Sequence, residues 1–261
     1  MSFAPLSQAF PANSCSALQL IATDMDGTLT SEGKFSSELL QALEALSSVG
    51  LKVLIVTGRS AGWVSGLVHY LPIWGAIAEN GGLFYPGSQL TGKERFLVPI
   101  GDIQAHRQQL AACFQQLQAE FPQIQESQDN RFRLTDWTFD IQDLTNSAIQ
   151  TLSQRCQERG WGFTYSTVQC HIKLPNQDKA AGLRQVMQQY LADCTPAHTL
   201  TVGDSPNDES LFDCSQFPWS IGVANLRDYV PQLRHLPQYI TSAPEGRGFI
   251  ELAQVLLEKR Q

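Results

Sequence analysis

An almost continuous apolar run such as LKVLIVTG (residues 51–58) fits a strand buried on both faces, and a parallel sheet covered by helices buries strands in that way. LQLIATD (residues 18–24) reads as another strand. Between the two, SSELLQALEALSSVG sets Leu39, Leu40, Leu43, Leu46 and Val49 on one helical stripe. Ser36 or Ser37 can cap its start, Glu38 suits its first turn and Gly50 its end. SAGWVSGLVHYL follows as a helix stopped by Pro72, and WGAIAENGG as a third strand closed by a sharp turn. A βαβαβ series predicts an α/β fold, a doubly wound parallel sheet with right-handed crossovers.

The middle of the chain reads differently. GSQLTGKERFLVP looks like a hairpin, residues 101–120 a Gln-rich amphipathic helix, and RFRLTDWTFDIQ a strand. SAIQTLSQRCQERG forms a second helix and GFTYSTVQCHIKL one or two strands, so an α+β insert is expected at 86–172. The α/β pattern then returns with DKAAGLRQVMQQYLAD, HTLTVGD, SPNDESLFDCS, FPWSIGVA and GRGFIELAQVLLEKR as helix, strand, helix, strand and helix. The expected core is therefore 1–85 together with 173–261.

Hydrophobic residues make up 43% of the 261, enough for a sizeable core, and no low-complexity tract interrupts them. A net charge of −7 argues against nucleic acid or an anionic membrane as a partner. No apolar stretch reaches the roughly 18 residues that span a bilayer. The six scattered cysteines form no CxxC pair and fit the reduced thiols of a cytoplasmic protein. The first 18 residues lack the regions of a signal peptide and read as a loose leader.

Chemistry gathers where the strands end, which is where open parallel sheets bind ligands. The first strand ends in Asp24-Met25-Asp26-Gly27-Thr28, the second in Thr57-Gly58-Arg59, and a later one in Gly203-Asp204-Ser205-Pro206-Asn207-Asp208. Lys179 stands at the start of the helix before that later strand. Carboxylates collected in one place repel unless a cation joins them, and oxygen-only ligands favour Mg²⁺. One carboxylate is then free to take a phosphoryl group, a second to act as acid and base, and Thr57 and Lys179 to hold the non-bridging oxygens. Elsewhere blander readings prevail. Trp137 and Phe139 read as core, Arg131 and Arg133 as one solvated strand face, and none of the five histidines as a ligand.

DMDGTLT, TGR, Lys179 and GDSPND together resemble the four motifs of the haloacid dehalogenase superfamily of phosphotransferases. IAENGGLFY, SIGVAN and EGRGF are similar to its Cof-like sugar-phosphate phosphatases, which carry a larger cap where the insert stands. The resemblance implies a Mg²⁺-dependent phosphatase acting on a small phosphorylated metabolite such as a sugar phosphate. Asp24 would be the nucleophile and Asp26 the acid and base, its carbonyl also a metal ligand. Asp204 would be a further ligand, with Asp208 holding the metal directly or through water. Thr57 and Lys179 would bind phosphoryl oxygens, Asn207 would sit at the same rim, and Arg59 and Asn80 would lie nearer the leaving group, with Gly58 between Thr57 and Arg59. A phosphomutase and a non-enzymatic metabolite-binding protein are the alternatives.

Overall fold

The computed structural model describes residues 3–6, 12–90 and 92–260. Its larger sheet has nine strands in the order Ala4–Pro5, Tyr239–Ile240, Trp219–Gly222, Thr199–Gly203, Leu20–Thr23, Lys52–Val56, Gly75–Ala78, Leu83–Pro86 and Arg95–Phe96. Every pairing from Ala4–Pro5 to Gly75–Ala78 is parallel, and the last two strands add an antiparallel hairpin. The mainly parallel sheet is thus the expected α/β core, with Leu20–Thr23 at its centre.

Alternation along the central strands sends neighbouring side chains to opposite, equally covered faces. Ile21, Val53 and Ile55 pack with Leu39, Leu43 and Leu46 of the helix Ser37–Ser48 and with Phe249 and Leu252 of Glu245–Glu258. Leu20, Ala22, Leu54 and Val56 point the other way, onto Leu183 and Val186 of the helix Lys179–Tyr190. Both faces are covered, and each fully buried aliphatic side chain contributes about 1.5–3 kcal/mol. Ser36 caps Ser37–Ser48 as expected, accepting from the Leu39 N–H at 3.2 Å, and Gly50 follows the helix at φ +80°.

A separate antiparallel sheet, in the order Trp137–Asp140, Gln169–Lys173, Gly162–Tyr165, is inserted into this core. The helices Ile103–Glu120 and Asn146–Glu158 cover one side, where Leu110, Phe114, Leu117 and Leu152 meet Phe139, Cys170 and Ile172. Gln169 and His171, the alternate residues of the middle strand, line a cleft shared with the large sheet.

Several local expectations are corrected. Residues 206–212 form a 3₁₀ run, Pro206–Phe212, in place of an α-helix. RFRLTDWTFDIQ is extended only from Trp137, because Gln128–Phe132 is also a 3₁₀ turn, so Arg131 and Arg133 share no strand face. The leader is not loose where it is described: Ala4–Pro5 pairs with Tyr239–Ile240, and Leu6 and Cys15 are buried, while residues 7–11 lie outside the described part. No helix among the described residues is long and apolar enough to cross a membrane, and all six cysteines are unpaired.

Candidate active site

Parallel pairing sets the strand ends side by side. The ladder continues into the functional residues themselves: the Asp24 N–H donates to Val202 O and the Thr57 N–H to Ile77 O, both at 2.9 Å. Carboxylate oxygens of Asp24, Asp204 and Asp208, all buried, lie within 4.8 Å of one another. Gly27 permits this closeness. Its φ is +80°, and a Cβ there would stand 2.5 Å from Asp204 Oδ2.

Lys179 enters from the first turn of Lys179–Tyr190, whose N-cap Asp178 accepts from the Ala181 N–H at 2.7 Å. Its buried ammonium donates to Asp24 Oδ1 at 2.5 Å and to Asp208 Oδ1 at 2.7 Å. Asp208 spends its other oxygen on the N–H groups of Asp204 and Ser205, at 2.9 and 3.1 Å, which tightens the 3₁₀ turn. Asp204 accepts from Thr28 Oγ1 at 2.9 Å and from Asn225 Nδ2 at 3.0 Å. Asn225 also donates to Gly27 O at 3.1 Å. The sequence reading missed it; SIGVAN was noticed, but nothing local says that its Asn reaches back to Asp204 and Gly27.

Burial drives the electrostatics of this cluster. It pushes the Asp24 carboxyl up to about 7; Lys179 pulls against that rise, and Asp208 and Asp26 add to it. Burial, with Asp24 and Asp208 beside it, likewise holds Asp204 well above the ordinary aspartate range. For Lys179 burial opposes the charge, but Asp208 and Asp24 outweigh it, and the ammonium is held above its ordinary value. Three buried carboxyl groups gathered around one ammonium form an oxygen-only donor set. That composition suits a hard divalent cation, with Asp24, Asp204 and Asp208 as the residues that could hold it.

The remaining residues named from sequence are distributed around the cluster. Asp26 does not join it. Its carboxylate turns to Arg59, accepting from Nε at 2.8 Å and Nη2 at 2.7 Å, and that pair raises the guanidinium pKa. Thr57, Gly58, Arg59 and Asn207 line one cleft with Asp24 and Asp26. Asn80 lies behind this wall, accepting from Asn207 Nδ2 at 3.0 Å, with its own Nδ2 buried and unpartnered.

The opposite wall of the cleft is made by Ser166, Val168, Gln169 and His171 of the insertion. His171 Nδ1 is 2.8 Å from Asp136 Oδ2, and Asp136 accepts from Arg133 Nη1 at 3.0 Å. Arg133 is buried, which corrects the expectation of a solvated residue. It is neutralised by Asp129 and Asp136, is bonded to Gln169, and donates across the seam to Gly58 O at 2.9 Å. A second tie is Glu79, whose carboxylate accepts from the Ala61 N–H of the core and from the Leu134 N–H, Thr135 N–H and Thr135 Oγ1 of the insertion.

The chain is similar to several known proteins. Residues 21–97 match the family of haloacid dehalogenase-like hydrolases. Phosphoglycolate phosphatase of Metallosphaera sedula is 27% identical over 92% of this chain and 99% of its own length. A solved structure from Thermoplasma acidophilum superposes with a TM-score of 0.72 at 20% identity, over 92% of this chain and 98% of that one. The C-terminal domain of trehalose-6-phosphate phosphatase from C. albicans does so with a TM-score of 0.71 at 14% identity, over 98% of each chain. These last two are likenesses of fold.

Proposed function

We propose that this chain is a phosphatase of the haloacid dehalogenase-like hydrolases and hydrolyses a small phosphomonoester with the phosphoryl group carried transiently on Asp24. The observation behind this reading is the shared ammonium: Lys179 fixes Asp24 and Asp208 together at the mouth of the central strands. Asp24 is thereby held in one orientation at the cleft, as in-line attack requires.

In the first half-reaction an Asp24 carboxylate oxygen attacks phosphorus. The ester P–O bond breaks, and the departing oxygen takes a proton from Asp26. A water then attacks the phosphoryl group and gives its proton to Asp26; the Asp24–phosphorus bond breaks and inorganic phosphate leaves. Lys179 and Thr57 hold non-bridging oxygens throughout, and Asn207 supports the rim. Mg²⁺ held by the carboxylates of Asp24, Asp204 and Asp208 and by the Asp26 carbonyl would neutralise the charge on those oxygens.

The insert expected at 86–172 serves in this reading as a cap that excludes water and touches the leaving group. The leaving group would sit in the cleft between Asp24 and the wall formed by Ser166, Val168, Gln169 and His171. The phosphoglycolate named for the Metallosphaera sedula relative is one candidate, and a short sugar phosphate is the other. Phosphate release from a panel of such esters, with Mg²⁺ and with chelator, tests the reaction. Asp24→Asn is expected to remain folded, with turnover reduced at least about 10³-fold. Persistent Mg²⁺-dependent turnover in that variant would sink the covalent route.

A further inference from the structure

Resting on the phosphatase reading, we propose that His171, oriented by Asp136, contacts the leaving group as a hydrogen-bond acceptor and so selects an ester whose leaving group bears a free hydroxyl over one that ends in a carboxylate.

The geometry begins with the strand Gln169–Lys173. Its even positions, Cys170 and Ile172, are sunk in the insertion's own core. Gln169 and His171 therefore face the cleft, across from Asp24, Asp26 and Thr57. The His171 ring lies against Gly58: a Cβ on that glycine would stand 3.1 Å from His171 Cε1. Side chain and backbone thus meet beside the second strand end, next to the residues proposed to hold the phosphoryl group.

Asp136 fixes which ring nitrogen carries the proton. Its carboxylate is buried and already bound to Arg133, which holds it in the charged form below the ordinary aspartate range in spite of burial. A carboxylate beside Nδ1 requires an N–H there. Burial also keeps the imidazole pKa below its ordinary value, against the pull of Asp136. A neutral ring with its proton on Nδ1 leaves a lone pair on Nε2, for which no protein donor stands among the described residues.

The cations near this wall are committed elsewhere. Arg133 is neutralised by Asp129 and Asp136, and Arg59 is paired with Asp26. A carboxylate at the far end of the substrate would face that lone pair, with Arg59, the cation among the lining residues, paired to Asp26, whereas a hydroxyl would donate to Nε2. An acceptor built into a site rejects a ligand that lacks the matching donor, because the buried acceptor is then left unpaired.

The test compares wild type with His171→Asn, whose amide can still donate to Asp136 from the position of Nδ1 but presents nothing where Nε2 stood. Three esters are assayed with Mg²⁺: glycerol phosphate, phosphoglycolate and a nitrophenyl phosphate. Wild type is expected to favour glycerol phosphate over phosphoglycolate. In the variant, kcat/KM for glycerol phosphate is expected to fall about tenfold further than for the nitrophenyl ester, through KM more than kcat. A wild-type preference for phosphoglycolate overturns the inference whether or not the variant folds. An equal loss on the hydroxylated and aryl esters in a folded variant also overturns it. Wild-type protein inert toward every ester removes the phosphatase reading and this inference with it.

Discussion

Gly27 carries two constraints at one position. Its φ of +80° is a left-handed conformation that a larger residue adopts at a cost of about 1–3 kcal/mol. A methyl group would also press on Asp204 Oδ2, displacing a carboxylate that Thr28 and Asn225 otherwise hold in place. Gly27→Ala is therefore expected to lower the melting temperature and to weaken Mg²⁺ binding at least tenfold, read by titrating the thermal shift with Mg²⁺. Unchanged affinity in a folded variant would contradict the placement of Asp204 at the metal. DMDGT could be read from sequence because its neighbours in the chain are also neighbours in the site. Asn225 could not, since its partners, Gly27 O and Asp204, come from two distant segments.

Among the elements, the strands and helices of the large sheet were legible, and most of the insertion's inner wall was not. Strands buried on both faces have apolar side chains at nearly every position, and the helix Ser37–Ser48 shows a buried stripe of Leu39, Leu43 and Leu46. Ser36 is a readable stop because a hydroxyl accepting the Leu39 N–H is a local event. Ser36→Ala should cost about 1 kcal/mol by urea denaturation and leave turnover unaltered, since Ser36 is not among the residues that line the cleft. No measurable loss would show that the helix start is held by packing alone. Arg133, Asp136 and His171 had no such signal. Their network is made across a 3₁₀ turn, a loop and a strand, so neither a period of two nor of 3.6 links them. A buried arginine also looks like a surface one until its carboxylates are placed around it.

At the scale of the whole molecule, the two sheets are fastened through buried polar groups as well as by the chain that joins them. Glu79 is the densest of these ties. Burial, with Asp136 nearby, pushes its carboxyl up to about 7, although Arg133 and the donors around it favour the charged form. A carboxyl that holds its proton more tightly folded than unfolded makes stability fall with rising pH, here between the ordinary glutamate value of 4.5 and about 7. In the absence of Mg²⁺, Glu79→Gln is expected to flatten that part of the profile, measured as urea midpoints from pH 4.5 to 7.5. Parallel profiles for wild type and variant would show that Glu79 does not titrate across this range. Above pH 7 the fully charged Glu79 leaves the seam at its weakest electrostatically, and the two parts should then separate most readily.

The order of strands in the large sheet also has a consequence in time. Leu20 pairs with Lys52 on one side and with Thr199 on the other. On a ribosome making about 5–20 residues per second, Leu20–Thr23 emerges well before its second neighbour exists. Through that interval one edge of Leu20–Thr23 is unpaired, and Asp24 has neither Lys179 nor Asp208 beside it. The antiparallel insertion, whose contacts are closer in sequence, can form in the meantime. Synthesis thus leaves a sticky nascent edge to be shielded until the last third of the chain arrives, and the cluster of Asp24, Lys179 and Asp208 is assembled only near the end of translation.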